Sequence, residues 1–123
     1  MRSQMSLFII AFLAIIISNV TADVLPQNNL IVGELGDHDQ LLERRKVEES
    51  FSLGIKKTIS ELFEGDRQTK ITHIRALDQH ENGHGAVATI KKGGIGLTYV
   101  EIEFESQPFR GIDFIVEIYG SRT

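Results

Sequence analysis

The sequence predicts an all-β fold, a single antiparallel β-sandwich-like domain of about seven strands that follows an N-terminal signal peptide. Turn-forming glycines recur at roughly ten-residue spacing from Gly33 to Gly111, which is typical of short strands joined by turns. Two segments near the C-terminus also alternate apolar and polar residues, as strands with one buried face do. Together these observations favour a sandwich over a helical bundle.

The two alternating segments are the clearest strands. Thr98 to Glu105 places three apolar side chains on one face and three carboxylates on the other, and Ile112 to Tyr119 repeats this pattern. One face of each strand is therefore expected to lie in the core. The predicted inward residues are Val100, Ile102, Phe104, Ile112, Phe114, Val116 and Ile118.

Two more strands are predicted on either side of an Asn-Gly pair. Lys70 to Asp78 and Gly85 to Lys91 flank Asn82-Gly83, which supplies the positive φ values of a tight hairpin turn. We therefore expect these two segments to pair as antiparallel neighbours. Leu30 to Leu35 is expected to form a short strand near the start of the domain.

The segment from Asp39 to Phe63 has two interpretations. Its apolar residues recur at intervals of three or four, as on one face of a helix. Gly54 would weaken that helix by about 1 kcal/mol, so strands over Gln40 to Val47 and Phe51 to Leu62 are preferred, and the helix stays open.

The N-terminus has the features of a secretory leader. Arg2 precedes an apolar run from Leu7 to Ile17, which is shorter than the roughly 20 residues of a membrane span. Small residues up to Ala22 suit signal peptidase, so cleavage is predicted between Ala22 and Asp23. The expected organisation is a signal peptide at 1–22, an extended lead-in at 23–29 and a β domain at 30–120, with no membrane anchor. An uncleaved anchor would need a longer apolar run.

Composition limits the possible functions. The chain has no cysteine and a net charge of −4, which becomes −5 once Arg2 leaves with the leader. Thiolate zinc sites and cysteine nucleophiles are excluded, and no field that would recruit nucleic acid directly is expected. No Ser lies in a Gly-x-Ser-x-Gly elbow. We therefore expect a secreted protein that is not an enzyme and has no cofactor.

Three clusters of polar residues have simpler explanations than chemistry. His80 and His84 do not form a zinc helix because Asn82-Gly83 interrupts it. Across a hairpin the two rings could still approach, with His73 as a third donor, but an exposed polar turn is the simpler explanation, so no metal site is predicted. The glutamate row of the alternating strand is explained as a solvated face, because a glycosidase cleft usually needs aromatic platforms. The lysines and glycines at 91–96 are explained as a turn.

The order of motifs in the second half resembles a known family. They are Ile71-Thr72-His73-Ile74-Arg75-Ala76-Leu77-Asp78, Asn82-Gly83, Gly93-Gly94-Ile95-Gly96, Val100 to Ser106, and Arg110 to Gly120 with its closing Ile118-Tyr119-Gly120. This series resembles the arthropod family named for the transcription activator multiprotein bridging factor two. The resemblance spans about Val32 to Gly120, and before Lys70 it rests on spacing alone.

The resemblance implies two functions of different classes. One is a secreted interaction protein of saliva, venom or haemolymph that binds an extracellular protein or ligand. The alternative is a coactivator whose partners are transcription factors and which bridges a DNA-bound regulator to the basal machinery. The apolar leader favours secretion. A small hydrophobic ligand held between the sheets is a third possibility.

Five residues are candidates for partner contact. Pro108, Phe109 and Arg110 combine an apolar anchor with a charge in one loop, and Ile115 and Tyr119 face outward on the last strand. The simpler interpretation is that Phe109 folds back onto the core and Arg110 pairs with a neighbouring glutamate.

Overall fold

The computed structural model describes residues 28–80 and 83–122, and these residues form an all-β domain. The predicted fold class is confirmed, with seven antiparallel strands in two sheets. The predicted signal peptide, its cleavage between Ala22 and Asp23, and most of the lead-in lie outside the described residues. The strands are β1 (Leu30–Gly33), β2 (Gln40–Glu49), β3 (Thr58–Glu64), β4 (Lys70–Asp78), β5 (Val87–Gly93), β6 (Tyr99–Glu105) and β7 (Ile112–Ser121).

The strands divide into a four-stranded and a three-stranded sheet. The first has the order β1-β4-β7-β2 and the second the order β3-β6-β5. The long central strand β7 pairs with β4 on one side and β2 on the other, and β6 is central in the smaller sheet. No helix long and apolar enough to cross a membrane occurs among the described residues.

The core lies between the two sheets and contains the predicted alternating residues. Val100, Ile102 and Phe104 are completely buried, and the ring centroids of Phe104 and Phe114 are 5.1 Å apart across the sheets. The alternation predicted for both strands is therefore confirmed. The buried apolar residues are Val47, Phe63, Ile71, Ile74, Ala76, Ala86, Val100, Ile102, Phe104, Ile112, Phe114, Val116 and Ile118.

The predicted hairpin between the segments at 70–78 and 85–91 is wrong. β4 pairs with β1 and β7, whereas β5 pairs with β6 in the other sheet. The connection crosses between the sheets, and Asp78, at the end of β4, is buried with its carboxylate hydrogen-bonded. It accepts hydrogen bonds from the backbone N–H groups of Asn28 (3.1 Å) and His80 (3.0 Å). Gly85 lies directly against the same carboxylate, where a side chain would collide with it.

The segment at 39–63 forms strands, so the helical interpretation is wrong. β2 extends to Glu49, but β3 begins only at Thr58, and the predicted strand start at Phe51 is also wrong. A tight turn lies at residues 52–55, where Gly54 has a φ of 69°, a left-handed conformation that glycine adopts readily. Smaller shifts affect β1, which ends at Gly33 instead of Leu35, and β5, which begins at Val87 instead of Gly85.

An arginine closes one side of the sandwich. Arg45 of β2 lies 2.8 Å from the carboxylate of Glu61 on β3, and its guanidinium stands 4.2 Å from the ring centroid of Phe63. It also contacts Glu43 on its own strand. Burial acts to lower the pKa of Arg45, but hydrogen bonds from the guanidinium to the two glutamates raise it overall. The edge strands of the two sheets are thereby joined through charge-assisted hydrogen bonds.

Candidate functional site

Three connections that cross between the sheets meet at one end of the domain. They are the loops at 50–57, 79–86 and 106–111, and the structure describes the second except for residues 81–82. The strand registers place them together, since Glu49 is opposite Ile112 and Thr58 is opposite Glu105. Val87 lies on the other side of Glu105. The end of the sandwich therefore presents several loops side by side.

Backbone contacts hold the first and third loops against each other. Ser106 donates its N–H to the carbonyl of Lys57 at 2.8 Å, and its hydroxyl accepts the N–H of Lys57 at 2.7 Å. Gly111 of the third loop also packs against the start of the first loop, because an added side-chain carbon there would lie 2.5 Å from the carbonyl oxygen of Glu49 and 3.3 Å from the backbone nitrogen of Phe51. Since Ser106 is only 2% exposed, these bonds are shielded from water and fix the two loops relative to one another.

The first loop displays Leu53 on a tight turn. The N–H of Ile55 donates to the carbonyl of Ser52 at 3.4 Å, and the positive φ of Gly54 allows the chain to reverse. Leu53 stands at the apex and is 78% exposed. A short turn thus carries a large apolar side chain into solvent.

The third loop contains a second turn with an unusual residue. The N–H of Arg110 donates to the carbonyl of Gln107 at 3.1 Å, and Pro108 and Phe109 occupy the two central positions. Phe109 has a φ of 65°, at a turn position where a positive φ normally selects glycine or asparagine. A phenylalanine in this conformation is strained by about 1–2 kcal/mol. Its ring lies over the first turn, next to Gly54.

The two loops together expose four large apolar side chains, which we call the apolar tip. Each of the four is more than half exposed, whereas an apolar side chain in the core is almost fully buried. Exposed apolar patches mark interaction sites in soluble proteins. The apolar tip consists of Phe51 (58% exposed), Leu53 (78%), Ile55 (60%) and Phe109 (57%).

Basic residues accompany the apolar tip. Residues 50–57 and 106–111 contain Lys56, Lys57 and Arg110 but no aspartate or glutamate. The ammonium groups of the two lysines are 3.8 and 3.7 Å from Glu105 and Glu49 at the ends of neighbouring strands. Within the described part of the chain, no carboxylate lies within 4.0 Å of the Arg110 guanidinium, so the charge of Arg110 is not offset by such an ion pair.

The structure separates the five predicted contact residues into two groups. Pro108, Phe109 and Arg110 lie in the loop of the apolar tip, and all three are exposed. The simpler interpretation, in which Phe109 folds back onto the core and Arg110 pairs with a glutamate, does not hold among the described residues. Ile115 and Tyr119 lie on the outer face of the four-stranded sheet and are half-buried.

Tyr119 is engaged within its own sheet. Its hydroxyl donates to Glu117 at 3.0 Å, and its ring centroid lies 5.7 Å from that of His73. The carboxylate of Glu117 is also 3.9 Å from Arg75 on the neighbouring strand. These contacts give Tyr119 a structural role on the sheet face, away from the apolar tip.

Sequence reasoning missed Phe51, Leu53 and Ile55. Phe51 and Ile55 have the spacing of one face of a helix, and the strand preferred over Phe51 to Leu62 includes all three. The available signal was Gly54 in the middle of that spacing, because an isolated glycine in a strand pattern indicates a bulge or a turn.

His73, His80 and Glu103 make contacts within the fold. His73 Nδ1 is 2.9 Å from the carbonyl oxygen of Gly33, and His80 Nδ1 is 3.5 Å from the carboxylate of Asp78. Glu103 in the glutamate row lies 3.8 Å from Lys91. No group of three metal-ligating side chains occurs within residues 28–80 and 83–122.

The opposite end of the domain contains a polar cluster around Asp66. This carboxylate accepts hydrogen bonds from the N–H groups of Gln68 (2.9 Å) and Thr69 (2.8 Å), from the Thr69 hydroxyl, and from Arg122. The backbone bonds, and then the arginine and hydroxyl, hold the pKa of Asp66 well below its usual range. The cluster links the loop before β4 to the end of β7.

Known proteins match this chain by sequence. The chain matches the family described as "Transcription activator MBF2" over residues 32–120. A protein of Bombus ignitus with the name "Probable salivary secreted peptide" is 40% identical over 93 residues, which make up 76% of this chain and 69% of that relative. No solved structure matches the chain. Because the match covers most of the domain, from β1 to β7, the resemblance seen in the sequence is confirmed and the chain belongs to the MBF2 family.

Proposed function

We propose that this protein is a small secreted, non-enzymatic interaction protein that binds its partner through the apolar tip. The observation that carries the proposal is the conformation of Phe109. A phenylalanine with a φ of 65° is strained, yet this side chain is 57% exposed, so burial in the core does not offset the strain. Strained residues that remain exposed are concentrated at binding sites, where the strain fixes a side chain for contact.

The rigidity of the loops supports the same role. The paired hydrogen bonds between Ser106 and Lys57 hold the two turns in place before any partner arrives. A preorganised surface loses less conformational entropy on binding than a mobile one. The four apolar side chains can therefore contribute to affinity without a folding step.

Secretion is supported by the leader and by a relative. The apolar run at Leu7 to Ile17, followed by small residues up to Ala22, has the pattern of a cleavable signal. The Bombus ignitus relative carries the words "salivary secreted" in its name. The absence of cysteine is no obstacle, because the completely buried core stabilises the domain without disulfides.

A non-enzymatic role is supported by the engagement of the reactive side chains. The histidine at 73 bonds to the backbone, Asp78 accepts backbone hydrogen bonds, and Glu103 faces a lysine. Catalytic acids and bases need a substrate within hydrogen-bond reach, usually in a concave site. The apolar tip instead consists of side chains on protruding turns.

The experiment is recovery of the full chain, with a C-terminal tag, from cultured insect cells. We expect the tagged protein in the medium, with Asp23 as its first residue by N-terminal sequencing. The matched control replaces Ile10 and Leu13 in the apolar run with arginine, which should keep the protein inside the cell with Met1 retained. Wild-type protein held in the cytosol and nucleus with residues 1–22 attached would overturn the proposal.

The family description, "Transcription activator MBF2", favours a second candidate. It is the coactivator that the resemblance implies, which bridges a DNA-bound regulator to the basal transcription machinery. This function would require the chain to act in the nucleus without its leader. The test is a reporter driven by a DNA-bound partner, with residues 23–123 expressed in the nucleus. Increased reporter output that is lost in the Leu53→Ser/Phe109→Ser variant would favour the coactivator. Unchanged output would count against it.

A further inference from the structure

The apolar tip also indicates what kind of surface it binds, an inference that rests on the proposed function. Four apolar side chains are exposed on two adjoining turns, and three basic residues accompany them in the same loops. The whole chain has a net charge of −4, whereas residues 50–57 and 106–111 hold basic residues and no acidic ones. We propose that the apolar tip inserts peripherally into an anionic lipid surface.

Charge argues for an anionic counterpart. Residues 50–57 and 106–111 hold three basic and no acidic residues, and Arg110 has no carboxylate partner among the described residues. Two copies of the chain docked tip to tip would bring these positive loops together. An anionic surface instead attracts each basic residue, and a lipid bilayer adds an apolar layer below its charged headgroups.

Shape argues for a fluid surface over a folded acidic protein. Leu53 and Phe109 stand on turns, and the depression of about 300 Å³ beside Phe51 is lined mostly by polar groups, including Glu48, Glu49 and Asp113. This depression therefore does not offer an apolar pocket for the anchor residue of a partner protein. Protein interfaces depend on an anchor filling a matching pocket, whereas lipid adapts to a convex apolar tip.

The side-chain arrangement matches a shallow insertion. Leu53, at the apex, is the most exposed of the four, and Lys56 follows three residues later on the same loop. Lysine and arginine place their charged ends at the level of the headgroups while apolar neighbours enter the acyl boundary. This is a peripheral contact by loops, distinct from a membrane span.

The experiment is co-sedimentation of the secreted protein with vesicles of phosphatidylcholine alone and of phosphatidylcholine with about one third phosphatidylserine. We expect binding to the anionic vesicles that weakens with added salt and at least about tenfold weaker binding to neutral ones. Leu53→Ser/Phe109→Ser should lower the partition coefficient at least about tenfold, because two apolar side chains no longer insert. Lys56→Gln/Arg110→Gln should lower it about tenfold.

Matched controls separate insertion from general stickiness. Leu41 and Leu62 are both 50% exposed, on β2 and β3 away from the loops of the apolar tip, so Leu41→Ser/Leu62→Ser removes the same kind of surface elsewhere. Lys91→Gln/Lys92→Gln removes the same charge from β5. Both control variants should bind as the wild type does. Equal losses in the controls and the tip variants would overturn the inference.

A fluorescent probe gives a second readout. The chain has no tryptophan, so Phe109→Trp introduces a single reporter at the apolar tip. Its emission should shift to the blue on addition of anionic vesicles. Absence of both sedimentation and shift would overturn lipid binding but leave the proposed function, which is decided by recovery from the medium. A dimer in sedimentation equilibrium that Leu53→Ser/Phe109→Ser dissociates would assign the tip to self-association instead.

Discussion

Lys57 and Ser106 exchange two hydrogen bonds, so that each residue both donates to and accepts from the other. They lie just before β3 and just after β6, where the two loops of the apolar tip meet the three-stranded sheet. The serine hydroxyl takes the place of a backbone carbonyl and continues the pairing of β3 with β6 by one step. The position of the apolar tip therefore depends on a side chain that is itself buried.

Replacement of Ser106 by alanine should destabilise the domain. The variant leaves the N–H of Lys57 without its acceptor in a partly buried position, which costs about 1–2 kcal/mol in the free energy of unfolding. Ser60→Ala is the matched control, because Ser60 is exposed on β3. Denaturant titration measures both variants. Equal stability of the two variants would contradict the role given to Ser106.

Replacement of Phe109 by glycine should not destabilise the domain. Glycine accepts the positive φ without strain, and the relief offsets the entropy that it adds to the unfolded chain, so stability should stay unchanged or rise by up to about 1 kcal/mol. Leu53→Gly is the control, since Leu53 does not have a positive φ and glycine there should cost about 0.5–1 kcal/mol. Thermal unfolding of the pair checks this. If Phe109→Gly lost as much stability as Leu53→Gly, the phenylalanine would not be strained.

The Arg45–Glu61 contact should couple the two sheets. Both side chains are about one third exposed, so solvent screens the pair, and a double-mutant cycle with Arg45→Met and Glu61→Gln should give about 0.5–1 kcal/mol of coupling. Lys56 and Glu105 form the comparison pair, at 3.8 Å and more exposed, and should give a coupling near zero. Similar couplings in the two cycles would mean that Arg45 does not join the sheets.

Asp66 should make stability depend on pH in the acid range. Its pKa is lower in the folded protein than the unfolded value of about 3.9, so its contribution is present above that value and is lost as the pH falls toward the folded pKa. Asp66→Asn should lower the melting temperature at pH 7, and the gap to wild type should narrow below about pH 4. A gap that stays constant from pH 7 to strongly acid solution would contradict this assignment.

Local pattern was sufficient to predict the strands but not all their partners. Val100 and Phe114 follow an alternation that any half-buried strand shows, and both lie in the core. Asn82-Gly83 is a local turn signal, and Gly83 does have a positive φ of 77°. The sheet to which β5 belongs depends instead on packing at a distance, because the chain crosses over after Asp78 and Ala88 packs on the core beneath β6.

The candidate site shows the same limit. Pro108, Phe109 and Arg110 were identifiable from residue type, since an aromatic beside a cation in a turn suits an interface. Phe51 and Leu53 could not be identified in this way, because apolar residues in a short segment have the same pattern in a buried strand and in an exposed loop. Only the positive φ of Gly54 and the packing of Gly111 on the neighbouring loop distinguish the two cases.

The proposals for this protein depend on Phe109 standing in water in the free protein, and Phe109→Trp measures this directly. We predict that the single tryptophan emits as a solvated indole and is quenched freely by acrylamide, with little change when urea unfolds the chain. Phe63→Trp, at a position 1% exposed, should instead be protected until unfolding. A blue, protected emission from Phe109→Trp in the folded protein would place the ring on the core and contradict the account.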